Sequence, residues 1–270
     1  MIAQTPRGPI DYRLEGAGPV VVVLNGGHCS RDTRLSHERL VGEGFAVLTP
    51  SRPGYDGTPG TVGRSAQEAA DALAALLDVL QISTADVIGI SAAGPTALGF
   101  AQRHPDRLRK LVLESAMVMD WGEATKRRSR LLFGRAAPLT WGAVHGLLRL
   151  APRAAIKLMM RDLTALDVDD VTSRLCDDDW VFIQRMFQTC RSSTGFLQDI
   201  AHHVEGLASI VAPTLVMYSP HDGTVSPENA FYVGAEVASA ELYVVPSDTH
   251  LIWIGKTAND VWEKRLSFLR

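Results

Sequence analysis

The strongest constraint on the fold of this chain is the alternation of short apolar runs with segments of helical periodicity. Val20 to Leu24, Phe45 to Leu48, Val87 to Ile90 and Leu111 to Leu113 are brief apolar stretches, as expected of strands buried on both faces. Ile10 to Leu14 alternates apolar with polar residues and reads as an amino-terminal strand ended by Gly16 and Gly18. The intervening segments read as helices. Thr33 to Val41 is helix-like and is stopped by Gly44. Ser65 and Glu68 form a capping box ahead of Ala69, Leu73, Leu76, Leu77 and Leu80, one apolar stripe at helical spacing. Pro95 to Arg103 follows as another helix. Buried strands alternating with helices imply a mainly parallel sheet covered on both sides.

The alternation lapses from about 119 to 205, where only helix-like segments occur and charge is segregated. Lys126, Arg127, Arg128, Arg130 and Arg135 begin a basic stretch that continues through Arg149, Arg153, Lys157 and Arg161. Asp162, Asp167, Asp169, Asp170, Asp177, Asp178 and Asp179 follow. The basic residues read as solvated faces or as partners of the acidic stretch, with recognition of an anionic substrate as the rival reading. Alternation resumes with a strand at Thr214–Tyr218, a helix near Pro227–Glu236, a strand at Glu241–Val245 and a final helix over about Ile254–Leu269. The organisation expected is therefore one α/β core, residues 1–118 and 206–270, interrupted by a helical cap, 119–205. Trp121, Phe133, Trp141, Met159, Met160, Trp180 and Phe187 give the cap more apolar bulk than a polar surface loop carries. They divide between a small cap core and a pocket lining.

A chain of 270 residues, 46% hydrophobic and 21% charged, suits one large domain with an insertion. No run reaches the roughly eighteen apolar residues a membrane helix needs. Met1 to Pro9 lacks the layout of a signal peptide, so a cytoplasmic location is expected. Three widely spaced cysteines, Cys29, Cys176 and Cys190, argue against a disulfide framework and a zinc site. A net charge of −3 gives no reason to expect nucleic acid.

Chemistry concentrates at the carboxyl ends of the strands, where functional loops of a parallel sheet gather. In Val87-Ile88-Gly89-Ile90-Ser91-Ala92-Ala93-Gly94 a strand delivers a serine between small residues and a helix follows. This is the pattern of a nucleophile elbow, although a serine there also serves as a plain helix cap. A serine hydroxyl needs a base, usually a histidine oriented by a carboxylate. Asp222 follows the Thr214–Tyr218 strand and His250 follows Glu241–Val245, so Ser91, Asp222 and His250 emerge on one sheet edge. Glu114, ending the Leu111–Leu113 strand, is the strongest rival acid. Among other histidines, His104 reads as a helix C-cap and His202 and His203 as surface or packing residues; His221 is a candidate substrate contact. Asp248 reads as a loop cap and Cys29 as a half-buried thiol. Acyl transfer also needs oxyanion donors, worth about 3–4 kcal/mol each at known sites. The Ala92 N–H supplies one. Gly27, in the loop Asn25-Gly26-Gly27-His28, is the choice for the other, with a plain Gly-Gly turn as the rival.

The Asn25–His28 loop, the Arg52-Pro53-Gly54-Tyr55 turn, the Gly89–Gly94 elbow, the Asp222–Pro227 segment and Thr249-His250-Leu251 together resemble the α/β-hydrolase superfamily over essentially the whole chain. The resemblance implies an eight-stranded, mostly parallel sheet, a helical cap, and hydrolysis without metal or organic cofactor. It departs from the family pattern at Asn25, where His is usual before Gly, and at Ala93, where Gly is common. Serine at the nucleophile position argues against the haloalkane dehalogenase and epoxide hydrolase branches. The expectation is a serine hydrolase acting on a small ester, lactone or related acyl compound. A C–C bond hydrolase or cofactor-free lyase with the same triad is the alternative, and an idle ligand-binding protein is the alternative from another class. The expected partner is a small-molecule acyl substrate, with a homodimer open and neither nucleic acid nor a membrane.

Overall fold

In the computed structural model, which describes residues 1–270, eight strands form one sheet. They are β1 (Ile2–Thr5), β2 (Gly8–Glu15), β3 (Val20–Leu24), β4 (Ala46–Pro50), β5 (Ala85–Ile90), β6 (Leu108–Glu114), β7 (Thr214–Tyr218) and β8 (Ala240–Val244). Their order is β1-β2-β4-β3-β5-β6-β7-β8. The β1–β2 and β2–β4 pairings are antiparallel and all others parallel.

The period-two geometry of a strand sends the central runs to opposite faces. Val22, Leu24, Leu48, Val87, Leu111, Leu113 and Val216 enter one core. Val21, Val23, Val47, Ile88, Ile90, Val112, Leu215 and Met217 enter the other. Helices α1 (Ala66–Val79) and α2 (Gly94–Arg103) cover the first face. Ala69, Leu73, Leu76 and Leu77 of α1 are buried as the stripe predicts, while Leu80 ends the helix half-buried. The Ser65 hydroxyl accepts the Glu68 N–H at 3.1 Å, but the Glu68 carboxylate takes the Arg64 N–H rather than that of Ser65, so the capping box closes one residue early.

Between β6 and β7 lie six helices: α3 (Glu123–Phe133), α4 (Ala137–Leu150), α5 (Pro152–Met160), α6 (Val168–Ser173), α7 (Asp177–Thr189) and α8 (Gly195–Asp199). Their basic and acidic stretches meet in exposed pairs: Arg128–Asp162 at 2.8 Å, Lys157–Asp169 at 2.7 Å and Arg153–Asp177 at 3.4 Å. Helix α9 (Glu228–Glu236) joins the first core and α10 (Ala258–Leu269) the second. No helix is long and apolar enough to cross a membrane.

Three local expectations differ from the structure. β1 is an additional edge strand, unread because only Ala3 of its four residues is buried. The segment read as a helix over Thr33–Val41 holds only a 3₁₀ turn, His37–Glu43, although Gly44 does stop it in the left-handed region at φ 86°. The final helix starts at Ala258, four residues later than read, because Ile254 to Thr257 form turns.

Candidate active site

The fully buried strand β5 runs directly into Ser91, whose backbone is left-handed at φ 50°. Such a conformation is strained for a residue with a side chain and is held here by what surrounds it. The Met117 N–H donates to the Ser91 carbonyl at 2.9 Å. A Cβ on Gly89 would lie 2.5 Å from the Ala97 Cβ, so glycine is what lets α2 leave the strand so closely.

The structure brings Ser91, Asp222 and His250 together, all three buried. His250 Nδ1 donates to Asp222 Oδ2 at 2.6 Å, and His250 Nε2 lies 3.0 Å from Ser91 Oγ. A carboxylate only accepts, which puts the ring proton on Nδ1 and leaves Nε2 free to accept from the serine hydroxyl. Asp222 is itself held: its Oδ1 accepts the N–H groups of Thr224 and Val225, each at 2.8 Å. Such an arrangement converts a weak hydroxyl nucleophile into an activated one.

The Asn25–His28 loop lies against the elbow. A Cβ on Gly26 would stand 3.0 Å from the Ser91 Cβ, and one on Gly27 would stand 2.8 Å from the Phe196 ring and 3.4 Å from the Ala92 Cβ. The Gly27 N–H donates to no acceptor within the protein. Asn25, at the position where histidine is usual, turns inward, its Nδ2 donating to the carbonyls of Ser30 and Thr33 at 2.9 and 3.1 Å.

The rival residues are engaged elsewhere. Glu114 is fully buried and accepts from Arg265, at 2.6 and 3.2 Å, and from Trp253 Nε1 at 2.6 Å, and it pairs with His37 at 3.0 Å. Burial alone would raise its pKa, but Arg265 and His37 reverse this and hold the carboxyl well below its usual range. His104 does end α2, with its ring 2.9 Å from Asp71. His202 is buried, its Nε2 3.2 Å from the Arg64 carbonyl. Asp248 pairs with Arg174 at 2.8 Å. Cys29 is half-buried and sits opposite Cys190 in an isolated antiparallel bridge, both thiols free.

The inserted segment contributes contacts that sequence reasoning missed. The His250 N–H donates to the Leu163 carbonyl at 2.7 Å and the Ala165 N–H to the His221 carbonyl at 2.9 Å. Thr164 Oγ1 donates to the Asp248 carbonyl at 2.6 Å, and Thr224 Oγ1 to that of Asp162 at 2.7 Å. Residues 162–165 thus stitch together the loops carrying Asp222 and His250. Two of the four are backbone bonds, which leave no signature in residue identity, and the two threonine hydroxyls reach only backbone carbonyls. Beside the Asn25–His28 loop, Phe196 and Trp121 cluster with Ala92, Met117 and Val225. The His28 ring is 3.8 Å from Phe196 and 4.2 Å from Phe133, centroid to centroid. Burial, helped by the Arg52 charge, lowers its pKa to about 3, so the ring is neutral.

Known proteins share this architecture. A family model described as the alpha/beta hydrolase fold matches residues 19–137. An uncharacterized hydrolase of Bacillus subtilis, YcgS, is 31% identical, covering 97% of this chain and 95% of its own. The 2-hydroxy-6-oxo-6-phenylhexa-2,4-dienoate hydrolase of Burkholderia cepacia is 26% identical over 90% of this chain and 87% of its own. An alpha/beta hydrolase fold protein from Nakamurella multipartita superposes with a TM-score of 0.83 at 28% identity, covering 100% of this chain and 98% of that one. With the sheet order, the strand-to-helix elbow and near full-length similarity in agreement, the chain belongs to the α/β-hydrolase family.

Proposed function

We propose that the protein is a serine hydrolase that cleaves a small ester, lactone or related acyl compound through an acyl-enzyme at Ser91. The observation that carries this reading is the pair of contacts on one imidazole, 2.6 Å to Asp222 and 3.0 Å to Ser91. In the reaction Ser91 Oγ attacks the substrate carbonyl carbon while its proton passes to His250 Nε2. The carbonyl oxygen takes up the negative charge and is met by the N–H groups of Gly27 and Ala92. Collapse expels the alkoxide, which takes the proton from His250. Water then attacks the acyl-enzyme, giving its proton to His250, and the acid leaves as Ser91 is restored. Asp222 keeps the imidazole in the required tautomer and stabilises its cation. The segment 119–205 acts as a cap that sets which acyl groups reach Ser91.

A second reading, C–C bond hydrolysis with the same three residues, is favoured by the dienoate hydrolase similarity. The fold hosts both chemistries, so only substrates separate them. Wild type and Ser91→Ala are to be assayed on acyl esters of graded chain length, a lactone and a 2-hydroxy-6-oxo-dienoate. Ester or lactone turnover that vanishes in Ser91→Ala is the expected result. Cleavage of the dienoate far faster than of any ester moves the assignment to the second reading. Ester turnover that survives in Ser91→Ala removes the serine from the reaction.

A further inference from the structure

We propose that Asp199, at the end of α8 in the inserted segment, is a positioning residue for the oxyanion loop, acting through Arg52 to aim the Gly27 N–H. The proposal rests on the acyl-transfer reading above.

The Arg52 guanidinium is buried and divided among three acceptors. Nε donates to the Asn25 carbonyl at 2.8 Å, Nη2 to the Gly26 carbonyl at 2.9 Å, and Nη1 to Asp199 Oδ1. The Gly26 carbonyl and the Gly27 N–H belong to one peptide unit, which is planar and trans. Fixing the oxygen on one side therefore fixes the direction of the N–H on the other. That N–H has no acceptor in the protein, and a Cβ on Gly27 would lie 3.4 Å from the Cβ of Ala92, the residue of the second donor. Arg52 thus acts as a clamp that holds two successive peptide planes of the loop.

A buried guanidinium stays in place only when its charge is met. Asp199 is the one carboxylate that pairs with Arg52, and it is buried too. Its other oxygen accepts the Tyr55 hydroxyl at 2.5 Å. The same hydroxyl oxygen accepts the His28 N–H at 3.3 Å, one residue beyond Gly27. A single carboxylate therefore grips the loop from both sides, through Arg52 before Gly27 and through Tyr55 after it. Arg52 and Tyr55 come from the turn after β4, whereas Asp199 comes from the insertion. The inserted segment also bonds the loop directly, the Arg191 N–H donating to the His28 carbonyl at 2.7 Å. Docking of the insertion and readiness of the oxyanion loop are, on this geometry, one event.

The test compares wild type, Asp199→Asn and Tyr55→Phe in ester hydrolysis, with amide hydrogen exchange over residues 25–28. Asp199→Asn should lower kcat about a hundredfold or more, the loss expected when an oxyanion donor is removed, with KM changed far less. Exchange in the loop should quicken while that of the β5 backbone does not. Tyr55→Phe removes both bonds of the hydroxyl but leaves the Asp199 carboxylate paired with Arg52, so no buried charge is stranded and the variant should fold. It should show a smaller kcat loss of the same kind. Loss of substrate affinity at unchanged kcat in Tyr55→Phe assigns the network to pocket shape and overturns the proposal. So does wild-type loop exchange and kcat in either folded variant. A wild type that hydrolyses no ester instead sinks the acyl-transfer reading itself, so the two failures are distinguishable.

Discussion

Glu114 ends β6 and Asp222 lies in the loop after the neighbouring parallel strand β7, so both are carboxylates near the same sheet edge. What separates them is company. Asp222 meets His250 and two backbone N–H groups, whereas Glu114 is consumed by Arg265, His37 and Trp253. Asp222→Asn keeps an oxygen for the Thr224 and Val225 N–H groups but favours the wrong imidazole tautomer. It should lower kcat by about four orders of magnitude with little change in melting temperature. Glu114→Gln strands the buried Arg265 and should cost about 3–5 kcal/mol in urea denaturation, while folded molecules keep kcat within about tenfold. The reverse pattern moves the acid to β6. The meeting of Ser91, Asp222 and His250 was legible because each follows a strand whose run marks its own carboxyl end. Asp199 was not: a buried arginine in the Arg52-Pro53-Gly54-Tyr55 turn demands an acid, but many carboxylates lie between β6 and β7 and only the fold decides which one meets it.

At the scale of elements, β7 was legible to the residue because Pro213 and Ser219-Pro220 bound its run, whereas β1 was lost for want of a buried stripe. The stretch between β6 and β7 was legible as helical, but not in its packing. Two of its aromatic groups have different surroundings. Trp141, Met160 and Phe187 belong to the large core that includes Val21, Ile88 and Met217 of the sheet. Trp121 and Phe196 cluster with Ala92 beside the serine, and Phe133 packs partly buried against both groups. Periodicity marks such residues as buried without telling which partner buries them. Trp121→Phe and Phe133→Leu should therefore shift the ratio of kcat/KM between short and long acyl esters by about tenfold, leaving Ser91 reactive. Met160→Ala should cost about 2–5 kcal/mol of stability and leave that ratio alone. A ratio that never moves, with only stability affected, would make the segment structural and send the search for specificity to the core loops.

For the molecule as a whole, burying neutral histidines makes stability depend on acidity. Burial lowers the pKa of His28, His37 and His202, to about 3 for His28. An unfolded histidine takes up a proton near its ordinary value of about 6.5, so between about pH 6.5 and 3 the unfolded chain binds protons that the folded chain refuses. Stability is full above that window and falls as the pH drops through it. Urea denaturation should show a loss between about pH 7 and 5, of which His28 supplies up to about 2 kcal/mol. His28→Asn, which tolerates the left-handed backbone at φ 65°, should shrink the difference; a flat profile would contradict the account. The proposed reaction turns on one oxygen atom, Ser91 Oγ. Intact mass spectrometry after treatment with a fluorophosphonate addresses that atom directly. A single adduct that maps to Ser91, and is absent from Ser91→Ala, is the predicted result; an unlabelled folded protein, or an adduct on Cys29, would contradict it.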